Sequence, residues 1–236
     1  MPAPDAAAWT LDQADALDWL AGRPPGAADA VITDPPYSSG GRFADATFAS
    51  DAMDQRVWRK WCREWLGLAR AATRPGGYLV GFTDWRQLPA FSDAVQMAGW
   101  VWRGTVVWDK GLGARAPNPA HFRHQCEFAV WATNGETCPR RRAAGSGGPW
   151  PGCLRHPVRP ADKHHPVGKP TALLRDLVAC VPAGGLVLDP FAGSGTTGVG
   201  AVLEGRRFAG CEVVPAYVRI ARGRLAAIPE EIARAL

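Results

Sequence analysis

The chain has 236 residues, 47% of them hydrophobic and 21% charged, which is ordinary for one soluble α/β domain with a full hydrophobic core. No apolar run approaches the roughly 18 residues of a membrane span, and the acidic N-terminus lacks the basic start of a signal peptide. We therefore expect a cytoplasmic protein without membrane contact. The formal net charge of +5 favours an anionic partner but does not require one.

Apolar runs bounded by turn residues predict strands, and apolar residues at spacings of three and four predict helices. In chain order the predicted elements are the weak strand AWTLDQAD (8–15), strand Ala30–Thr33, helix Val57–Ala71, strand Tyr78–Thr83, helix Pro89–Ala98, strands Val101–Trp108 and Cys126–Ala132, helix Pro170–Val181, strand Leu186–Asp189, helix Thr196–Glu204, strand Phe208–Val213 and helix Pro215–Ile228. Strands that alternate with helices are typical of parallel βαβ units, so we predict a doubly wound α/β sheet.

Two details refine this prediction. The strands 101–108 and 126–132 have only a loop between them, which predicts an antiparallel pair at a sheet edge. In the helix 57–71, Trp58, Trp61 and Trp65 share one face, so we expect them in the core.

The first informative stretch is VITDPPYSSG, residues 31–40, at the end of a predicted strand. Two prolines in a row cannot continue a strand, so Asp34 and Tyr37 lie on a stiff, extended backbone. The Asp34 carboxylate and the Pro35 carbonyl could accept the two N–H groups of an exocyclic amino group and aim its lone pair at an electrophilic methyl. Pro36 fixes the carbonyl direction, and Tyr37 offers a face for a base taken out of a duplex. A strand-ending turn capped by an acid is the alternative.

A second stretch, residues 137–161, contains no acidic residue and is rich in glycine and proline. It has no hydrophobic period, so it predicts a loop, either simply solvated or facing an anionic partner. Its arginines are Arg140, Arg141, Arg142, Arg155 and Arg159. Cysteine and histidine residues in and near this stretch match no zinc-finger spacing, so we expect free thiols and no metal.

The third stretch, LVLDPFAGSGTTGVGA, joins a buried strand to a helix through a glycine-rich turn. Gly193, Gly195 and Gly198 match the G-x-G-x-x-G pattern, and Glu212 ends the next strand, where an acid can hold ribose hydroxyls. This arrangement predicts a cofactor that contains adenosine. A carboxylate at Asp189 would repel a pyrophosphate and attract an ammonium, which favours S-adenosylmethionine over a nicotinamide dinucleotide.

The order of three motifs resembles that of the DNA amino-methyltransferases, in particular their β class. The motifs are DPPY at 34–37, HPVGKP at 165–170 and DPFAGSGTT at 189–197. The resemblance implies an S-adenosylmethionine-dependent methyltransferase fold: a mostly parallel seven-stranded sheet with a reversed edge hairpin and helices on both faces. The chain length predicts one domain over residues 1–236. The resemblance implies a short target-recognition insertion at 110–164 within it, which contains the arginine loop.

The resemblance also implies roles for individual residues. It assigns catalysis to Asp34, Pro35, Pro36 and Tyr37. It assigns cofactor binding to Asp15 near the adenine, Lys169 at the carboxylate of the amino-acid end, Asp189, Phe191, Ala192, Gly193, Gly195 and Thr196 around the methionine moiety, and Glu212 at the ribose. The five arginines of the loop would contact duplex DNA.

An aspartate at the first position of the catalytic motif is usual in the adenine-N6 enzymes of this family, whereas a serine is usual in the cytosine-N4 enzymes. We therefore expect methyl transfer to adenine N6 in duplex DNA by base flipping. Cytosine N4, an RNA substrate, a catalytically silent DNA-binding module and a dinucleotide-dependent dehydrogenase are the alternatives. The recognition region is short for wrapping a duplex, so a homodimer is also expected.

Overall fold

The structure, a computed structural model, describes residues 7–37, 53–114, 118–137, 149–157 and 168–233. The strands in these residues are β1 (Trp9–Gln13), β2 (Ala28–Thr33), β3 (Thr73–Thr83), β4 (Val101–Asp109), β5 (Cys126–Thr133), β6 (Cys153–Arg155), β7 (Leu186–Asp189) and β8 (Arg207–Glu212). The helices are α1 (Ala16–Ala21), α2 (Gln55–Ala72), α3 (Leu88–Met97), α4 (Thr171–Leu177), α5 (Thr196–Leu203), α6 (Pro215–Ala226) and α7 (Glu230–Ala233). None of the described helices is long and apolar enough to cross a membrane.

All the strands form one sheet in the order β1-β8-β7-β2-β3-β5-β4-β6. β5 runs antiparallel to β3 and β4, and every other pair is parallel. The predicted α/β fold with a mostly parallel sheet is confirmed, as is the antiparallel pairing of the strands at 101–109 and 126–133.

Within the described residues the sheet has eight strands where seven were predicted, and the extra strand corrects part of the loop prediction for 137–161. β6 pairs in parallel with the end of β4, from Val107 opposite Cys153 to Asp109 opposite Arg155. The hairpin is therefore covered by β6 and is not itself the edge. The strand escaped prediction because it is three residues long and buries only Leu154, which is too little for a periodic pattern.

The core lies on both faces of the sheet because side chains alternate along each strand. In β2, Val31 packs against the layer of α1, α2 and α3, while Ile32 packs against the layer of α4, α5 and α6. Trp58 and Trp65 are completely buried, as predicted, and Trp61 is partly buried beside them. The tryptophan-rich face of α2 therefore supports the central strands that carry the site.

Candidate active site

Three carboxylates lie at the carboxyl ends of neighbouring parallel strands. Asp34 directly follows β2, Asp189 ends β7 and Glu212 ends β8. Open α/β sheets bind their ligands at this edge, outside the carboxyl ends of the strands. The fold thus brings together the two motifs that stand at opposite ends of the sequence.

The Asp34 carboxylate has a hydrogen-bond donor on each of its oxygens. The Tyr37 hydroxyl donates to Oδ1, and the Lys169 ammonium lies 2.5 Å from Oδ2. The Lys169 Nζ atom also lies 3.3 Å from the Tyr37 hydroxyl oxygen. The Asp34 side chain is 28% exposed and that of Lys169 only 7%, so an incoming ligand can reach Asp34 while Lys169 lies behind it.

Two further charged residues extend this cluster, and the sequence analysis did not identify either of them. Glu127, near the start of β5, lies with its Oε2 atom 3.4 Å from the Lys169 ammonium. Its Oε1 atom accepts a hydrogen bond of 3.1 Å from the Lys110 ammonium. The result is a chain of alternating charges that runs Asp34, Lys169, Glu127, Lys110.

The pKa values of two members of this chain, Lys169 and Glu127, are shifted in the direction that favours their charged forms. Burial disfavours the charge on Lys169, but Asp34 and Glu127 outweigh that effect and raise the pKa of the ammonium. Burial also opposes ionisation of Glu127, yet Lys169 and Lys110 hold the pKa of this carboxyl below its ordinary value. Burial, reinforced by the negative charge of Asp34, raises the pKa of the Tyr37 phenol. Near neutral pH, Lys169 therefore stays protonated and positively charged, and Tyr37 stays a neutral phenol that can donate a hydrogen bond.

The backbone of the catalytic motif is held by the core. The indole Nε1–H of Trp58 donates a hydrogen bond of 2.9 Å to the Pro36 carbonyl. Because Trp58 is completely buried in α2, this bond ties the proline loop to a rigid helix and fixes how the neighbouring Pro35 carbonyl is presented. The sequence predicted Trp58 only as a core residue.

The glycine-rich turn after β7 needs its glycines for two different reasons. Gly193 and Gly195 have φ angles of 52° and 79°, in the left-handed region that side chains disfavour. A Cβ atom at Gly195 would lie 2.8 Å from the Cβ of Ala221, and one at Gly198 would lie 2.7 Å from the Phe208 ring. A Cβ at Gly193 would meet no described atom within 4 Å, so the turn leaves space there.

Glu212 organises this turn from the neighbouring strand. Its carboxylate accepts hydrogen bonds of 2.9 Å from the Gly193 and Val214 backbone N–H groups, one on each oxygen. Each carboxylate oxygen has a further lone pair, so the group can still accept from the two hydroxyls of a ribose. The side chain is only 6% exposed, which makes it a fixed acceptor.

Asp189 is the most deeply buried acid of the site, with 2% of its surface exposed. Its Oδ1 atom accepts hydrogen bonds of 2.6 Å from the Thr33 hydroxyl and 3.0 Å from the Phe191 N–H. Burial nevertheless dominates and raises the pKa of this carboxyl to about 6. A cationic ligand placed next to it would favour the ionised form.

The remaining turn residues predicted to bind the cofactor also surround this strand end. Phe191 packs against Trp61 and Trp65, with ring centroids 5.4 and 5.2 Å apart. Ala192 is buried and donates its N–H to the Cys211 carbonyl. Thr196 begins α5, and its hydroxyl accepts a hydrogen bond of 2.9 Å from Arg224.

The residues at this edge fit the chemistry of S-adenosylmethionine. Asp189 offers a negative charge for an ammonium, Glu212 offers acceptors for ribose hydroxyls, and the turn leaves space beside Gly193. The same buried acids would repel a pyrophosphate. The donor and acceptor set thus agrees with the cofactor that the sequence predicts.

Asp15 lies near the Glu212 end of the site, because β1 ends at Gln13 opposite Glu212 and the Ala14 N–H donates to the Glu212 carbonyl. Asp15 accepts hydrogen bonds from the Leu17 and Asp18 N–H groups and so caps α1, a role that the sequence analysis did not foresee. Arg155 ends β6, is 70% exposed and lies 3.6 Å from an Asp109 oxygen. The remaining arginines, Arg140, Arg141, Arg142 and Arg159, lie outside the described residues.

Comparisons with known proteins agree with this geometry. The family model N6_N4_Mtase, described as DNA methylase, matches residues 28–223. The type II methyltransferase M2.DpnII of Streptococcus pneumoniae is 29% identical over 92% of this chain and 89% of its own length.

Solved structures show the same fold. The M1.HpyAVI–SAM complex superposes with a TM-score of 0.70 at 23% identity, over 92% of this chain and 98% of its own. The PvuII DNA methyltransferase, named as cytosine-N4-specific, gives a TM-score of 0.72 at 18% identity, over 98% of this chain and 94% of its own. At these identities the likeness concerns the fold alone.

Proposed function

This chain belongs to the N6_N4_Mtase family of DNA methylases, and we propose that it transfers a methyl group from S-adenosylmethionine to adenine N6 in duplex DNA. The observation that carries the proposal is the Asp34 carboxylate, which is 28% exposed just after β2 and follows Thr33, whose hydroxyl donates to Asp189 at the start of the glycine-rich turn. A carboxylate in this position can accept an N–H of an exocyclic amino group.

In the proposed reaction the chain's own residues orient the amino group. S-adenosylmethionine supplies an electrophilic methyl group on its sulfonium. Asp34 accepts one N–H and the Pro35 carbonyl the other, which withdraws the nitrogen lone pair from the ring and directs it out of the base plane. Trp58 holds the loop through the Pro36 carbonyl, so this geometry exists before the base arrives.

The nitrogen must lose a proton once it carries the methyl group. Lys169 cannot take that proton, because its neighbours hold it in the charged form. Tyr37 is a neutral phenol whose raised pKa keeps it a donor. Asp34 is therefore the member of this cluster that can accept the proton, and water can remove it afterwards.

The target base has to leave the duplex to reach Asp34, because a paired adenine lies inside the base stack with its amino group bonded to the partner thymine. We propose that Tyr37 receives the flipped base against its ring, which is partly buried against the core. We propose adenine as the target because the catalytic motif begins with an aspartate, Asp34. Cytosine N4 is the second candidate, since the cytosine-N4-specific PvuII enzyme shares the fold.

The proposed DNA-binding face is the insertion 110–164. Its first part, the β4–β5 loop (110–125), contains no acidic residue and leaves the sheet at the edge where Asp34 lies. Phe122 in this loop is 97% exposed, and the Arg123 guanidinium donates a hydrogen bond of 3.0 Å to the Ala114 carbonyl. Exposed aromatic rings beside cations suit bases and phosphates.

Three further predictions from the sequence belong to this proposal. The five arginines at 140–142, 155 and 159 would serve phosphates or guanine edges. Asp15 would lie near the cofactor adenine while it caps α1. Two copies would act together on one duplex, since one insertion offers a small surface.

Expression in a bacterial host that lacks adenine and cytosine-N4 methylation tests the proposal in living cells. Long-read sequencing should find N6-methyladenine at one short DNA sequence, and none with the Asp34→Ala variant expressed to the same level. N4-methylcytosine would keep the mechanism and change the base. Unmodified DNA, with the wild-type protein folded and able to bind the cofactor, would contradict the proposal.

A further inference from the structure

Lys169 lies between two carboxylates at unequal distances. Its ammonium is 2.5 Å from an Asp34 oxygen and 3.4 Å from a Glu127 oxygen. The Phe82 ring lies 5.1 Å from the same nitrogen, and the Tyr37 ring 5.7 Å. The ammonium therefore sits in a small, largely buried space with two anionic neighbours.

This arrangement conflicts with the binding of a target base. In the proposed function, an amino group approaches Asp34, whose oxygens are engaged by Tyr37 and Lys169. Each oxygen keeps a second lone pair, but an ammonium 2.5 Å from Oδ2 competes with the new N–H for the same acceptor, so the amino group binds Asp34 best when the ammonium moves away. A lysine with 8% of its surface exposed cannot simply move into water, and a buried ammonium without a partner is costly.

We propose that Glu127 is a positioning residue, which receives the Lys169 ammonium when the target amino group takes its place on Asp34. This inference rests on the proposed function. The movement needed is short, because the ammonium already lies within ion-pair distance of both carboxylates. The cation then stays paired throughout, and Asp34 is released for the base.

Lys110 gives Glu127 the properties that this role requires. Its ammonium binds the other Glu127 oxygen at 3.1 Å, which leaves Oε2 directed at Lys169. The Lys110 backbone N–H donates to the Gln125 carbonyl at the base of the β4–β5 loop. The ion-pair chain thus begins at the loop that we place on DNA and ends at the catalytic carboxylate.

The test compares two DNA duplexes that differ only at the methylated position found by sequencing. One carries adenine and the other purine, which lacks the exocyclic amino group. The preference for adenine is the dissociation constant of the purine duplex divided by that of the adenine duplex, both measured with S-adenosylhomocysteine present. This ratio reports contact with the amino group even in variants that cannot methylate.

We expect Glu127→Gln to reduce this ratio, on the order of tenfold at most, because Lys169 then stays on Asp34. Glu127→Asp keeps the charge and should retain most of the preference for adenine. In a Lys169→Met background, Glu127→Gln should change the ratio less than about twofold, since no ammonium remains to be received.

Glu204→Gln is the matched control, because Glu204 also pairs with a basic residue, Arg175 at 2.6 Å, but lies at the end of α5. It should leave the ratio unchanged, and S-adenosylhomocysteine should bind all Glu127 variants with wild-type affinity.

Three results would overturn the inference. They are an unchanged ratio in Glu127→Gln, an equal drop in the Lys169→Met background, and a drop caused only by weaker S-adenosylhomocysteine binding. The first two would show that Glu127 does not act through Lys169, and the third that the residue serves the cofactor. A wild-type protein that methylates no DNA would instead remove the proposed function itself, which the sequencing step reveals before any Glu127 variant is made.

Discussion

Asp34 is the residue on which the proposed chemistry depends, and its surroundings explain how a partly buried carboxylate is held in one orientation. Tyr37 and Lys169 each donate to it, and Trp58 holds the loop on which it lies. The cofactor side of the site has its own supports, because Glu212 holds the turn after β7 and the Thr33 hydroxyl and Phe191 N–H donate to Asp189, although Thr33 directly precedes Asp34. Changes at these two places should therefore have different effects.

Replacing Asp34 by alanine should reduce methyl transfer by at least about a hundredfold, because an acceptor aimed at the reacting amino group is lost. Binding of S-adenosylmethionine, measured by calorimetry, should stay within a few-fold of the wild type. Asp93→Ala, which changes an exposed acid on α3, serves as the control and should leave both quantities unchanged. An equal loss of binding and transfer in Asp34→Ala would show that the residue serves the cofactor.

Asp189 predicts a dependence of stability on pH. Its pKa of about 6 lies above the ordinary value, so the folded chain binds a proton more tightly than the unfolded chain does. Ionising this group therefore costs stability progressively between about pH 4 and pH 6, and the cost, at most about 3 kcal/mol, is fully present above pH 6.

The Asp189→Asn variant should remove that cost while keeping an oxygen that can accept from Thr33. We expect it to melt at a higher temperature than the wild type at pH 8, and the difference to shrink toward pH 4. S-adenosylmethionine should bind it more weakly at pH 8, because the charge for the ammonium is gone. The predicted sign would be contradicted if Asp189→Asn melted at a lower temperature than the wild type at pH 8, or if its advantage over the wild type were larger at pH 4 than at pH 8.

At the scale of elements, the structure describes residues 110–114, 118–137 and 149–157 of the proposed recognition insertion, which include β5 and β6. β6 fixes the second part to the sheet through Leu154, which is buried, and through the His156 carbonyl, which accepts from the Trp108 indole. His156 also pairs with Asp176 of α4 at 2.7 Å. The proposed insertion is thus linked to α4, the helix that begins two residues after Lys169.

Phe122 tests whether the β4–β5 loop meets DNA. Phe122→Ala should weaken binding to the target duplex severalfold and reduce base extrusion, followed as 2-aminopurine fluorescence, because a base-stacking surface is lost. Phe122→Trp should preserve both. Trp102→Ala is the matched control: this exposed ring lies at the amino end of β4, on the opposite edge of the sheet. The loop assignment is wrong if both alanine variants behave alike.

Several elements follow from the sequence because their patterns are local. The apolar run Leu186–Asp189 was predicted to the residue, since β7 is buried on both faces and ends at a turn that demands glycine. The helix α1, by contrast, has six residues and too few turns for a period, so it went unnoticed beside its cap, Asp15. The strand β6 was missed for the same reason.

Glu127 could not be found from the sequence in any such way. It stands in an ordinary strand pattern, 42 positions before Lys169, and only the antiparallel placement of β5 beside β3 brings it to the catalytic edge. Pairing across the sheet is non-local, so residue spacing carries no signal for it. The motif residues could be predicted because they stand next to one another in the sequence, at 34–37 and 189–197.

At the scale of the whole molecule, one sheet joins residues that lie far apart in the chain. Thr33 and Asp189 share a buried hydrogen bond across 156 positions, and Asp34 meets Lys169 across 135. The catalytic and cofactor motifs are therefore held in one rigid frame. The net charge of +5 adds a general attraction to a polyanion but does not direct it.

The proposed homodimer is a prediction at this scale. Sedimentation with a short target duplex and S-adenosylhomocysteine should give the mass of two chains per duplex, because a single insertion offers too little surface to enclose the DNA. The Asp34→Ala variant should sediment in the same way, since its loops are intact. One chain per duplex at saturating protein would contradict the dimer and leave the chemistry untouched.

The most direct measurement is mass spectrometry of the nucleosides from DNA incubated with the purified protein and S-adenosylmethionine labelled in its methyl group. Labelled N6-methyladenine, absent when Asp34→Ala replaces the wild type, is the expected result. Labelled N4-methylcytosine would refute the choice of base. No label in any nucleoside, with cofactor binding demonstrated in the same sample, would contradict the proposed methyl transfer to DNA.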